Sequence, residues 1–171
     1  MRALKIISAA AIAALGAAGC ADGADIWPVA PLPPAEDVIL SPTFQSGPEQ
    51  PLVDKAKVHF RNGEYGLAER FFRQAVEERY QNVEAWLGLA ASYDNLKRFE
   101  EADRAYNILE KMVGYTPTVL NNLGYHYMLK GEFGRAEHAL LTAQSKDPNN
   151  PLICANLALL SDWKAAAGRS G

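Results

Sequence analysis

From Glu49 onward the chain repeats itself every 34 residues. Three segments align without a gap: residues 49–82, 83–116 and 117–150. Ala68, Ala102 and Ala136 fall in one column; Phe72, Tyr106 and Leu140 in a second; Leu52, Trp86 and Leu120 in a third; Ala56, Ala90 and Gly124 in a fourth. Within a segment the apolar residues recur at spacings of three and four, as in Trp86, Leu89, Ala90 and Tyr93. That spacing gathers them on one face of a helix. Gly63 and Gly131 mark a tight turn near the middle of the first and third segments. Each segment therefore predicts two helices joined by a turn. Small residues such as Ala90 and Ala102 let the two helices approach, and Trp86, Leu89, Tyr93 and Tyr106 fill the space around them. A single hairpin of this kind leaves an apolar face uncovered, so the segments must stack.

These columns resemble the tetratricopeptide repeat, a 34-residue helix–turn–helix unit. The likeness covers residues 49–150. The second segment carries it on Trp86, Leu89, Ala90, Tyr93, Ala102 and Tyr106. The third carries it on Leu123, Gly124, Tyr127, Ala136, Ala143 and the closing Pro148. The first departs at His59, where an aromatic is usual, and at Tyr80 in place of the closing proline, as end repeats often do. Residues 151–167 begin a fourth unit, with Leu157 and Ala158 in register, and stop before a second helix. They are expected to form a capping helix over the last apolar face, with Lys164 favouring its C-terminal end. The expected architecture is all-α: three repeats and a cap in a short superhelix.

The start of the chain reads differently. Arg2 and Lys5 precede an apolar run, Ile6 to Ala18, of 13 residues. That is shorter than the roughly 20 residues that span a bilayer. With the small residues that follow, residues 1–19 read as an export signal. Ala17-Ala18-Gly19-Cys20 resembles a bacterial lipobox, in which the chain is cut before a cysteine that then carries lipid. Ala17 departs from that pattern, where leucine is usual, and plain cleavage without a lipid is the alternative. On the lipoprotein reading Cys20 is the lipidation site. Acyl chains at about 0.8 kcal/mol per buried CH2 would then anchor the protein. Ala21 after the cysteine implies, by the same resemblance, the periplasmic face of the outer membrane. Residues 20–48 form a proline-rich spacer, expected to be extended. A mature chain from Cys20 has 15 basic and 20 acidic residues, a net charge of −5. Nothing in that balance suggests binding to nucleic acid or, by charge, to anionic lipid.

No catalytic pattern stands out. His59, His126 and His138 have no metal-ligand spacing, and no phosphate loop or nucleophile elbow is present. Glu137-His138 reads as a solvated helix face. Cys154 is expected to be a buried, inert thiol, and two cysteines suggest no disulfide framework. No enzyme activity, cofactor or small-molecule substrate is expected. The tetratricopeptide resemblance implies instead a concave face, lined by the first helix of each repeat, that takes a protein or peptide segment. Its candidate residues here are Lys57, Leu87, Asn121, Asn122, Tyr125, Met128 and Asn156. The family's carboxylate clamp is not matched, because only Lys57 and Asn122 of its five places could serve. Asn122 and Asn156 occupy one column, and a side-chain amide there pairs with a peptide unit of any sequence. Bonding within the scaffold is the alternative use of these amides.

The lipobox-like start, the few repeats and the run NNLGYHYMLKGEFGRAEHAL with DPNNPLICANLALL resemble the TadD-type lipoproteins of the tight-adherence (Flp) pilus system. That resemblance implies an adaptor helping a pilus secretin or its partners to assemble. The alternatives are another outer-membrane adaptor, such as a pilotin or an outer-membrane assembly factor, or an unlipidated periplasmic binding module.

Overall fold

A computed structural model describes residues 47–169. The export signal, Cys20 and all but the last residues of the spacer lie outside the described residues. Among the described residues seven helices follow in order: α1 (Gln50–Arg61), α2 (Tyr65–Glu78), α3 (Val83–Asn95), α4 (Phe99–Val113), α5 (Pro117–Leu129), α6 (Phe133–Lys146) and α7 (Pro151–Arg169). No strand occurs among the described residues. The three hairpins α1–α2, α3–α4 and α5–α6 match the three repeats, and α7 caps the array. The cap runs to Arg169 rather than ending at 167. Odd-numbered helices lie side by side, α1 on α3, α3 on α5 and α5 on α7. No described helix is long and apolar enough to cross a membrane.

Local chemistry sets the helix ends. The Asn82 side chain accepts the Ala85 N–H at 2.8 Å, and Thr116 Oγ1 accepts that of Val119 at 3.2 Å, each capping orphan donors of a first turn. Pro117 begins α5 where its missing N–H costs nothing. The three turns inside the repeats share one bonding pattern. The N–H groups of Glu64, Arg98 and Glu132 donate to the carbonyls of His59, Tyr93 and Tyr127 at 2.8–2.9 Å. Those of Gly63, Lys97 and Gly131 donate three residues back. This pair of bonds places the residue after the cap in the left-handed region. Gly63 and Gly131 have φ of 76° there, and Lys97 has φ of 60°. A lysine at a glycine position carries strain of about 1 kcal/mol. Lys97→Gly is therefore expected to leave stability unchanged or raise it by up to about 1 kcal/mol. Gly131→Ala is expected to lower it by a similar amount, both read from urea midpoints.

The small columns work as the periodicity predicts. Ala56, Ala68, Ala90, Ala102 and Ala136 are all fully buried. Two glycines are tighter still. A Cβ on Gly124 would lie 2.5 Å from Leu140 Cγ, and one on Gly88 would lie 2.2 Å from the Phe72 ring. The partner side chains, Phe72 and Leu140, are themselves among the most buried in the molecule. Each buried side chain of this size contributes about 1.5–3 kcal/mol by leaving water. The packing follows the chain in order: one apolar cluster joins α1, α2 and α3, a second joins α3, α4 and α5, and two smaller ones lie under α7.

Candidate functional site

The seven candidate residues all lie on odd-numbered helices: Lys57 on α1, Leu87 on α3, Asn121, Asn122, Tyr125 and Met128 on α5, and Asn156 on α7. Six are buried; Lys57 is partly exposed. Their polar groups are engaged within the fold. Lys57 Nζ donates to Glu84 Oε1 at 2.8 Å, tying α1 to α3. Asn156 Nδ2 donates to Asn121 Oδ1 at 2.9 Å, tying α7 to α5. Asn122 Nδ2 donates to its own helix, at Thr118 O, 2.9 Å away. Asn122 and Asn156, one column apart in sequence, therefore do different work: one bonds back within its helix, the other across to Asn121. Tyr125 joins the apolar cluster of α1–α3, and burial pushes its hydroxyl above the ordinary tyrosine range. A segment binding along this face has to replace these contacts with its own.

Behind the same face lies a polar network that the sequence did not announce. His126 on α5 is fully buried, with Nδ1 2.5 Å from Asp94 Oδ1 and Nε2 3.0 Å from Asp103 Oδ1. The Tyr106 hydroxyl donates to Asp94 Oδ2 at 2.9 Å, and Lys130 Nζ donates to Asp103 Oδ2 at 3.0 Å. Burial pushes the Asp94 carboxyl above its usual range, against the pull of His126 and Tyr106. Burial also acts upward on Asp103, but the bonds from Lys130 and His126 outweigh it and hold that carboxyl low. Desolvation raises the Tyr106 hydroxyl well above the ordinary range. The network spans both helices of the second repeat and the first helix of the third. Its hydrogen-bonded pairs are 12 to 32 positions apart along the chain, so only the packing of helices brings them together. The one sequence signal was a histidine and an aspartate on helix faces that otherwise read as apolar.

Two open cavities lie away from this network. One, of about 470 Å³, is lined by residues of α2, α3 and α4, including Trp86, Tyr93 and Ile108, and by Tyr80 in the turn between α2 and α3. The other, of about 430 Å³, is lined by Tyr115 and residues of α5 and α6, including Leu120, Tyr127 and Thr142. Their walls are related by one repeat: Trp86, Leu89, Tyr93, Ala105 and Ile108 in the first correspond to Leu120, Leu123, Tyr127, Ala139 and Thr142 in the second. His138, exposed on α6, lines the second. Among the described residues no group of three or more His, Cys, Asp or Glu is placed to hold a metal ion.

Cys154 differs from its sequence reading. It is half-buried on α7 and disulfide-bonded, not a free thiol. The chain's other cysteine, Cys20, lies outside the described residues.

Comparison with curated protein sequences gives no match. Residues 53–110 match the family model of the tetratricopeptide repeat. Among solved structures, the first tetratricopeptide domain of human RPAP3 has a TM-score of 0.62 at 19% identity, covering 72% of this chain and 97% of that one. The Yersinia enterocolitica type III secretion chaperone SycD, in complex with a peptide of the translocator YopD, has a TM-score of 0.59 at 22% identity, covering 72% and 97%. The first tetratricopeptide domain of Spaghetti (RPAP3), bound to the HSP90 peptide SRMEEVD, has a TM-score of 0.60 at 18% identity, covering 73% and 99%. The helix pairs, their shared turn bonds and the matched family model agree: this chain carries a tetratricopeptide-repeat fold of three stacked repeats closed by a capping helix.

Proposed function

We propose that the protein is an exported, lipid-anchored adaptor whose odd-numbered helices take an extended segment of a partner protein, in aid of Flp (Tad) pilus secretion-machinery assembly. The observation that carries the binding reading is the alignment of α1, α3, α5 and α7 into one face. Along it lie Leu87 and Tyr125 as apolar positions and Lys57, Asn121 and Asn156 as polar ones; all but Lys57 are buried in the free chain, and a bound segment would exchange their internal contacts for its own. The structural relatives that hold the peptides of YopD and HSP90 share this architecture. The pilus and the lipid anchor rest on the sequence resemblances alone. Tetratricopeptide folds serve as protein-interaction modules, and the face offers amides and apolar surface rather than a nucleophile with its base.

The test uses the tagged full-length chain with a photoreactive residue in place of Lys57, which is the partly exposed member of the face. The expected result is a crosslink in intact cells to a secretin or another pilus component, weakened by Tyr125→Ala. Capture of outer-membrane assembly factors instead would retain the adaptor and remove the pilus role. A crosslink insensitive to Tyr125→Ala would remove the binding face.

The alternative, an unlipidated periplasmic binding module, rests on Ala17, which stands where a lipobox has leucine. The intact mass of the mature protein decides between the two: added acyl mass supports the anchor, and a bare chain supports the unlipidated module.

A further inference from the structure

His126 presents a proton-counting problem. Both ring nitrogens face carboxylate oxygens, Asp94 Oδ1 at 2.5 Å and Asp103 Oδ1 at 3.0 Å. A neutral imidazole has one N–H and one acceptor nitrogen. It can donate to one carboxylate, and its other nitrogen then sets a lone pair against oxygen lone pairs. One additional proton removes the conflict. It can sit on the ring, so that both nitrogens donate. It can also sit on Asp94 Oδ1, which then donates to Nδ1 while Nε2–H donates to Asp103. Tyr106 donates to Asp94 Oδ2 in either case. The site is closed to water at its centre, since neither His126 nor Asp94 has exposed side-chain surface.

We propose that Asp94, His126 and Asp103 form a one-proton clasp between the second and third repeats, and that losing this proton as pH rises loosens the seam between α3 and α5. The neighbours fit that assignment. On α4, the Phe99 and Tyr106 rings stand 6.0 and 5.2 Å from the imidazole. On α5, the Tyr127 ring is 5.3 Å away, and Lys130, just past the end of that helix, pairs with Asp103 and with Glu132 in the following turn. On α6, Arg135 bonds to the Tyr127 hydroxyl and to Glu132. Lys130 keeps Asp103 ionised, which leaves Asp94 and the ring to share the proton. Burial of Asp94, whose carboxyl is pushed upward, works in the same sense. Asn122 and Tyr125 flank His126 on α5, so a loosened seam alters the face offered to a partner. That consequence rests on the peptide-binding reading above; the clasp itself does not.

The test is ligand-free. Urea unfolding of the full chain is followed over roughly pH 6.5 to 8.5. The unfolded histidine releases its proton near pH 6.5 and the unfolded aspartates well below it. Over this range the folded state then holds one proton more than the unfolded state. Stability is greatest at the low end and falls as pH rises. The expected reading is a roughly tenfold increase in the unfolding equilibrium constant per pH unit, until the clasp itself gives up its proton. His126→Gln and Asp94→Asn each remove the need for the proton and are expected to flatten the profile. If His126→Gln fails to fold, the isosteric Asp94→Asn carries the comparison. A flat wild-type profile, or an unchanged slope in the variants, overturns the clasp. Because no peptide enters the measurement, its outcome is independent of the binding face.

Discussion

Phe72→Ala is expected to lower the unfolding free energy by about 3–5 kcal/mol, the usual cost of emptying a buried aromatic site. The Phe72 ring is 1% exposed and joins the cluster built from α1, α2 and α3. It occupies the space where a side chain on Gly88 would stand. The two positions should therefore be coupled. In the wild-type background, Gly88→Ala forces a ring with no room to retreat, an overpacking cost of about 1–3 kcal/mol. In the Phe72→Ala background that clash is gone. What remains is the better helix propensity of alanine, worth up to about 1 kcal/mol in the opposite direction. The sign of the Gly88→Ala effect should thus reverse between backgrounds. A double-mutant cycle in urea reads this directly, and simple additivity would refute the packing described here.

The second large effect belongs to Asp94. Asp94→Ala leaves His126 buried beside an empty site and removes the acceptor of the Tyr106 hydroxyl. Breaking one side of a buried charged network typically costs about 3–5 kcal/mol. Asp103→Ala removes the other carboxylate facing the same ring, but its side chain is 42% exposed. Water can take its place, and a loss of no more than about 1 kcal/mol is expected. The contrast between two aspartates bonded to one histidine is the measurement. Equal losses would show that burial does not set the strength of this network.

The two sites differ in how visible they were beforehand. Phe72 stands in a column with Tyr106 and Leu140, so its place in the core follows from the period. Gly88 stands in no such column, and nothing local shows that it faces Phe72. Lys97 is an intermediate case: it falls 34 residues after Gly63 and 34 before Gly131. The alignment alone places it at the left-handed turn position, although a lysine gives no local signal of that conformation. The candidate binding face was legible as a set of helix positions. Its use was not. Whether Asn156 bonds to Asn121 or stands free depends on how closely α7 seats on α5, which no spacing within either helix specifies.

Sequence by itself determined the repeat length, the two-helix unit, the small residues at the close approaches and the capping helix. Each of these follows from a periodicity acting over a few turns or from a residue type required at one backbone position. The tertiary structure alone decided the Asp94–His126–Asp103 network, the Lys57–Glu84 and Asn121–Asn156 bridges, and the fit of Phe72 over Gly88. Those contacts join residues 16 to 35 positions apart on different helices. Their distances depend on the rotation and spacing of stacked helices, which the packing of the whole array fixes and no local segment encodes.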